Sequence, residues 1–147
     1  MGSTFSSLRI HIVFSTKLRK PSLHSSWRSE LHKYLGGTTR GLGAIAEAVG
    51  GVADHVHLLV SYRPTLTISD FVRELKKASS TWIAQNHVPD FAWQEGYSVF
   101  SVSVSQKPKV RRYIANQETH HAGWSFTSEL ITLLRYHEIE FDPKYLD

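Results

Sequence analysis

Two histidines separated by one residue, His55 and His57, are the first candidates for chemistry in this chain. They lie in segment 54–60, which is predicted to be part of a β-strand. Because side chains alternate across a strand, both imidazoles are expected on one face, about 6.5–7 Å apart along the chain. Such a pair can hold one divalent ion, and neutral imidazole suits Mn²⁺ or Zn²⁺ better than Mg²⁺. A His-X-His pattern is short, however, and also describes ordinary histidines on a strand surface.

A second candidate group lies in segment 110–121, which is predicted to be helical. Tyr113 and Gln117 are four residues apart and are therefore expected on one helix face, with His120 and His121 about one turn further along. A tyrosine hydroxyl is a weak nucleophile at neutral pH, because its pKa is about 10. A divalent ion on a phosphodiester would make the phosphorus more electrophilic, and Gln117 could add an oxygen ligand. The alternative is a tyrosine packed against the sheet beside a solvated glutamine.

The elements that must position these groups follow from periodicity. Strands are predicted at 8–14, 44–49, 52–62 and 98–104, with a hairpin at Gly50-Gly51. A helix begins near Ser25 or Ser26 and is expected to end at Gly36-Gly37, and a second begins near Ser69 and Asp70. Further helices are predicted at 108–121 and 128–137. This order predicts an α+β, ferredoxin-like βαββαβ fold with an antiparallel sheet, and the helix carrying Tyr113 follows it. Both crossover helices should cover one sheet face and leave the other free for a ligand or partner.

The composition limits the classes of protein. A chain of 147 residues is expected to form one domain, 1–147, and 41% hydrophobic with 20% charged residues is a globular balance. No apolar run approaches the roughly 20 residues of a membrane helix, and no signal peptide is visible. The chain has no cysteine, which excludes disulfides, thiolate metal sites and cysteine nucleophiles. A cytoplasmic location is therefore expected.

The charge suits a polyanionic partner. The chain has 17 Lys and Arg residues and 13 Asp and Glu residues, and its pI is near 9.4. Trp93 and Tyr97 either stack on unpaired bases or pack on the core. The candidate DNA-contacting residues fall in a loop, on a helix face and around Tyr113, and each set has simple solvation as its alternative: Lys17, Arg19 and Lys20; Arg73, Lys76 and Lys77; Lys109, Arg111 and Arg112, with Lys107.

Together these segments resemble one family, the HUH (histidine–hydrophobic residue–histidine) transposases with a single catalytic tyrosine, and especially their REP-associated branch. The resemblance extends over nearly the whole chain. The combination of the His55/His57 pair with the Tyr-Ile-Ala-Asn-Gln-Glu-Thr-His-His run is its most specific part. The matching segments are 13–17, 54–60, 75–76 with 79–80, 91–97, 101–103, 113–121, and 139–142 with 145–146.

The resemblance implies a specific activity. Such enzymes cut single-stranded DNA with hairpin-forming ends and form a 5′-phosphotyrosine link, and the released 3′-hydroxyl later attacks that link to rejoin strands. It implies Tyr113 as the nucleophile, and His55, His57 and Gln117 as the ligands of Mg²⁺ or Mn²⁺. It also implies a homodimer in which the tyrosine helix of one subunit often serves the histidines of the other.

Three further histidines are expected to lie near this site. His11 either borders the metal site or is an ordinary sheet histidine, and His120 and His121 position the tyrosine or contact the phosphate. Asp54 is discounted as a partner of His55, because its side chain is expected to face away.

Three other functions remain open on the sequence. They are a domesticated hairpin-DNA-binding protein of the same fold, another HUH nickase of the replication-initiator or relaxase type, and a plain metal-dependent hydrolase. The intact Tyr113, His55, His57 and Gln117 argue against the first. The short chain argues against the second, and the lack of an accompanying carboxylate cluster argues against the third.

Overall fold

A four-stranded antiparallel sheet forms the centre of the computed structural model, which describes residues 2–146. Its strands are β1 (Arg9–Ser15), β2 (Ile45–Gly51), β3 (His55–Ser61) and β4 (Ser98–Ser101), in the spatial order β2-β3-β1-β4. Each neighbouring pair is antiparallel. This topology confirms the predicted ferredoxin-like α+β fold, and it places β3, with both histidines, next to the other central strand.

Two helices, α1 (Ser25–Gly41) and α2 (Ile68–Asn86), cover one face of the sheet. Alternate strand residues point into this main core, as a half-buried strand requires. The helices contribute apolar residues at helical spacing. The cluster includes Ile10, Ile12, Phe14, Val56, Leu58 and Val60 from the sheet, and Leu31, Leu35, Phe71, Val72, Leu75 and Ile83 from the helices.

Some predicted boundaries are wrong. Helix α1 continues past Gly36-Gly37 to Gly41, because the buried residues Leu35 and Thr39 extend its apolar stripe and Thr39 Oγ1 donates to the Leu35 carbonyl at 2.8 Å. The side chain of His24, rather than a serine, accepts the Ser26 backbone N–H at its start. Strand β3 begins at His55 and β4 ends at Ser101, so each is shorter than predicted.

The second face of the sheet is covered by the C-terminal helices α3 (Lys107–Ala115), α4 (Gln117–His120) and α5 (Phe126–Tyr136). The prediction that this face is free is therefore wrong. Helix α5 has its own apolar stripe, in which Phe126, Leu130 and Leu134 recur every four residues and pack against Val13 and Phe100 of the sheet. The predicted helix 108–121 is also interrupted at Asn116, where φ is −98° and ψ is 18°.

The aromatic loop before β4 belongs to the main core. Trp93 is buried, its ring meets Phe14 edge-on at 4.7 Å between centroids, and its Nε1 donates to Ser79 Oγ at 3.0 Å. Lys76 Nζ fastens this loop by donating to the carbonyls of Gln94 and Gly96. Stacking of Trp93 on a DNA base is thus excluded by burial in this structure, whereas Tyr97 remains exposed. No described helix has both the length and the apolar composition to cross a membrane.

Candidate active site

The two histidines of β3 lie together under the C-terminal helices. Both side chains are fully buried, and their ring centroids are 5.0 Å apart. His11 of β1 lies beside them, with its Nε2 2.8 Å from His57 Nδ1. The shared face predicted from strand alternation is therefore observed, and His11 borders the pair rather than standing apart as an ordinary sheet histidine.

Helix α3 brings Tyr113 to the same place. Its ring lies 5.7 Å from that of His57 and 6.1 Å from that of His11, between centroids. Gln117 follows the helix break, yet its Oε1 still reaches within 3.1 Å of His55 Nε2. One chain therefore brings together all four residues named as the nucleophile and metal ligands.

Glu129 is the site residue that sequence reasoning missed. Its side chain is fully buried on α5, and its Oε1 lies 3.0 Å from His57 Nε2 and 3.1 Å from His55 Nε2. Its Oε2 accepts hydrogen bonds from the Tyr113 hydroxyl and from Gln117 Nε2. One signal was available: Glu129 is a lone carboxylate within the apolar stripe of α5, where an unpaired charge would be costly.

The histidine pair that follows α3 reaches the same carboxylate. His121 Nε2 is 3.1 Å from Glu129 Oε1, and His120 Nε2 is 3.4 Å from Glu129 Oε2. His121 Nδ1 donates to the backbone carbonyl of Trp124. Both histidines predicted to lie near the tyrosine are thus in contact with the site, and the ring of His120 is 5.2 Å from that of Tyr113.

Asp54 contacts His55, so the prediction that its side chain faces away is wrong. Its Oδ1 lies 2.7 Å from His55 Nδ1, so it does orient that histidine. The expectation that it faces away assumed that Asp54 belongs to the strand. It precedes the first residue of β3, at a bend where strict alternation does not hold.

Burial and hydrogen bonding set the charges of the site. Burial lowers the pKa of His57 to about 4, against the opposing attraction of Glu129. Burial also acts to lower the pKa of His55, but hydrogen bonds with Asp54 and Glu129 raise it overall. Although burial opposes ionisation of Glu129, hydrogen bonds with His55 and His57 hold its pKa well below the usual range. Burial and the Glu129 carboxylate together raise the pKa of Tyr113, which keeps its hydroxyl protonated at neutral pH.

The donor set fits a divalent cation. Imidazole nitrogens, an amide oxygen and an ionised carboxylate converge, and the ligand atoms of His55, His121 and Glu129 all lie within 4.8 Å of one another. Mixed nitrogen and oxygen donors of this kind are suited to Mn²⁺, and the oxygen donors also suit Mg²⁺.

The basic residues are distributed unevenly around this centre. Lys109 lines a cavity of about 500 Å³ that Tyr113, Phe100 and Trp124 also line. Arg19 binds the Thr127 hydroxyl and lies 5.1 Å from the centroid of the Phe126 ring, which in turn stacks on His55.

The other basic candidates lie elsewhere. Lys17 and Lys20 line a separate cavity of about 300 Å³, and Arg111 and Arg112 are exposed on α3. Helix α2, which carries Arg73, Lys76 and Lys77, packs on the opposite face of the sheet from Tyr113. The sheet therefore separates these three residues from the site. Arg73 also pairs with Asp70 on the surface of α2, at 3.0 Å.

Comparisons with known proteins agree with this architecture. Residues 4–117 match the family model described as IS200-like transposases. The ISDra2 transposase TnpA of Deinococcus radiodurans is 27% identical in an alignment 117 residues long, which covers 75% of this chain and 84% of that protein. A crystal structure of a candidate transposase from Deinococcus radiodurans is 28% identical with a TM-score of 0.62, covering 80% of this chain and 95% of that chain. A REP-associated tyrosine transposase bound to a REP hairpin has a TM-score of 0.61, covering 85% of this chain and 76% of that chain, and at 15% identity it supports the fold.

The family match spans well over half of the chain and contains His55, His57, Tyr113 and Gln117. His121 and Glu129 lie beyond the matched residues. The chain therefore belongs to the IS200-like transposase family.

Proposed function

We propose that this transposase cuts and rejoins single-stranded DNA through a covalent link to Tyr113. One observation carries the proposal: the Tyr113 hydroxyl donates to Glu129, and the other oxygen of that carboxylate lies 3.0 Å from His57 and 3.1 Å from His55. Among the described residues, Tyr113 is the only tyrosine whose ring contacts the buried histidines. The Glu129 side chain links its hydroxyl to both His55 and His57.

The cleavage step uses groups that already touch. The Tyr113 oxygen attacks the phosphorus, the bond from phosphorus to the 3′-oxygen breaks, and the 5′-phosphate remains on the tyrosine. The phenolic proton leaves along the existing hydrogen bond to Glu129 Oε2. Glu129 then gives this proton to the released 3′-oxygen, which becomes a hydroxyl and leaves Glu129 as a carboxylate again. Its later attack on the phosphotyrosine reverses these changes, joins two strands and restores Tyr113, so no external energy source is needed.

A divalent ion is part of the proposal. His55, His57 and Gln117 would hold Mg²⁺ or Mn²⁺ here. When bound, the ion would neutralise phosphate oxygens and make the phosphorus more electrophilic. Asp54 orients the His55 ring, and the C-terminal helices exclude water from the buried rings.

The substrate is proposed to be DNA with hairpin-forming ends. A neighbour with the same fold binds a REP hairpin, and the net charge of +4 at pH 7 favours a polyanion. Lys109 beside Tyr113, Arg111, Arg112 and the turn with Lys17, Arg19 and Lys20 are the proposed phosphate contacts. For Arg73, Lys76 and Lys77 the proposal is a secondary contact across the sheet. A cytoplasmic site of action and a homodimer complete the proposal, although the single chain holds both halves of the active site.

The test is formation of a covalent adduct. The protein is incubated with Mn²⁺ and single-stranded oligonucleotides taken from the flanks of its own gene, and an adduct that survives SDS is expected on a denaturing gel. Tyr113→Phe should abolish the adduct, because it removes the nucleophilic oxygen. Tyr145→Phe, at an exposed tyrosine, is the control and should leave it unchanged. An adduct that persists in Tyr113→Phe contradicts the proposal. Tight hairpin binding without any adduct also contradicts it and favours a DNA-binding protein.

A further inference from the structure

The hydrogen bonds of His121 define where its lone pair points. Its Nδ1 contacts the backbone carbonyl of Trp124, which can only accept, so the proton of the neutral ring lies on Nδ1. Nε2 is then an acceptor. It is buried, it has no hydrogen-bond partner among the described residues, and Glu129 Oε1 lies 3.1 Å from it.

His55 repeats this arrangement. Its Nδ1 contacts a carboxylate oxygen of Asp54 at 2.7 Å, which places the proton of the neutral ring on Nδ1. Its Nε2 lone pair then faces Gln117 Oε1 and Glu129 Oε1, each at 3.1 Å. The Gln117 amide is oriented by donation from its nitrogen to the other Glu129 oxygen at 2.9 Å. Nitrogen and oxygen acceptors therefore face one another in a buried space.

Converging acceptors without a donor are costly when buried, and a cation among them removes the cost. A proton on His55 Nε2 would satisfy that ring and Glu129 Oε1 and would leave His121 Nε2 without a partner, whereas one divalent ion satisfies both imidazoles and the carboxylate together. Histidines that bind metals commonly donate their other ring N–H to a carboxylate or a backbone carbonyl. His55 and His121 make these two kinds of bond.

We propose that His121 and Glu129 are ligands of the divalent ion, beside His55. The separation of 3.1 Å between Glu129 Oε1 and each of the two Nε2 atoms is close to the distance expected between adjacent ligands of an octahedral ion, about 3 Å for bonds of about 2.1 Å. The inference rests on the proposed function and adds two ligands that lie outside the residues matched by the family model. It makes α5 and the end of α4 part of the metal site.

The test is direct metal binding by the full chain. After treatment with EDTA and its removal, Mn²⁺ is titrated calorimetrically into wild type, Glu129→Gln and His121→Ala. Each variant should lose at least about tenfold in affinity, because Glu129→Gln removes the negative charge of its ligand oxygen and His121→Ala removes the imidazole. Glu118→Gln, at an exposed carboxylate on α4, and His137→Gln are the matched controls and should bind like wild type.

A second readout separates a lost ligand from a lost fold. Thermal unfolding in EDTA shows whether each variant folds, and Mn²⁺ should raise the unfolding temperature of wild type more than that of either variant. If His55→Ala loses Mn²⁺ while Glu129→Gln and His121→Ala bind like wild type, the inference is overturned and the proposed function stands. If wild type binds no Mn²⁺ and yet forms the Tyr113 adduct, the inference is overturned as well. If the proposed function and this inference both hold, Tyr113→Phe should lose the adduct and bind Mn²⁺ like wild type.

Discussion

Asp54 shows how one side chain outside a strand controls a residue inside it. Its carboxylate lies 2.7 Å from His55 Nδ1, which fixes the proton on that nitrogen and leaves Nε2 free to bind a metal. We expect Asp54→Asn to lower Mn²⁺ affinity by about 10- to 100-fold, the usual effect of losing such a partner. Calorimetric titration measures it. Asp90→Asn, at an exposed carboxylate, is the control, and equal affinities of the two variants would contradict the role given to Asp54.

His32, which lies outside the active site, makes the free energy of unfolding depend on pH. Its Nε2 is buried on α1 without a hydrogen-bond partner among the described residues, and burial, together with the charge of Arg28, lowers its pKa to about 4. In the unfolded chain the pKa of His32 is near 6.5, so the unfolded state binds this proton more readily than the folded state. The contribution of neutral His32 to the free energy of unfolding is therefore fully present above pH 6.5 and decreases as the pH falls towards 4.

The corresponding prediction concerns the free energy of unfolding in EDTA. Between pH 7 and pH 4.5, wild type should lose on the order of 2 kcal/mol more than His32→Gln, which has no group to protonate there. Urea unfolding at the two pH values measures the difference. An identical loss in both proteins would show that His32 does not titrate in this range.

At the level of single residues, the sequence predicts the partners that follow a simple period. Alternation along a strand places His55 and His57 on one face, and the spacing of Tyr113 and Gln117 points both towards the site despite the break at Asn116. Glu129 could not be assigned in this way, because it reaches the histidines only after α5 has folded back over the sheet. Glu129 and His55 lie far apart along the chain, so no local sequence pattern connects them.

At the level of elements, the contact between α3 and β2 determines where Tyr113, the proposed nucleophile, lies. Gly50 pairs with His57 across the sheet, and a Cβ atom on Gly50 would lie 2.4 Å from the Ile114 carbonyl oxygen and 2.9 Å from Ile114 Cγ2. Ile114 follows Tyr113 directly. The missing side chain therefore allows the tyrosine helix to lie against the strand next to the histidines.

We expect Gly50→Ala to push α3 away from the sheet. The unfolding free energy should fall by about 1–3 kcal/mol, as for other overpacked sites, and adduct formation should slow because Tyr113 is displaced. Urea unfolding and the initial rate of adduct formation measure the two effects. Gly36→Ala, where no atom lies within 4 Å of the added carbon, is the control and should gain about 0.5–1 kcal/mol within α1. Wild-type stability and rate in Gly50→Ala would exclude the close contact.

Element boundaries were predicted less well than element types, for physical reasons. Two glycines suggest a helix end, but the burial of Leu35 and Thr39 carries α1 through Gly36-Gly37 to Gly41. The stripe of Phe126, Leu130 and Leu134 predicts that α5 is amphipathic. It does not say which surface α5 covers, and the structure places it on the face predicted to be free.

At the level of the whole molecule, the sheet separates two tasks. One face carries the larger apolar core with α1 and α2, and the other carries the histidines, Tyr113 and Glu129 beneath α3 to α5. The fold class could be predicted from the order of strands and helices, because local patterns encode it. The uneven placement of the basic residues could not, because it depends on how the helices pack against the two faces.

The net positive charge predicts that DNA binding weakens with salt. The logarithm of the binding constant for a single-stranded oligonucleotide should fall linearly with the logarithm of salt concentration, by about 0.7 for each phosphate contacted. Lys109→Gln, beside Tyr113, should reduce the slope by about 0.7, whereas Lys33→Gln on the exposed side of α1 should not. Fluorescence anisotropy at several salt concentrations measures the slopes. Equal slopes for wild type and Lys109→Gln would remove Lys109 from the DNA interface.

The identity of the attacking oxygen is the central claim, and peptide mapping of the trapped adduct tests it directly. The wild-type protein is reacted with a flanking oligonucleotide and Mn²⁺, the DNA is trimmed by a nuclease, and the digested protein is analysed by tandem mass spectrometry. We expect the nucleotide mass on the phenol of Tyr113 alone. A nucleotide on any other residue, or an adduct joined through the 3′-phosphate instead of the 5′-phosphate, would contradict the account.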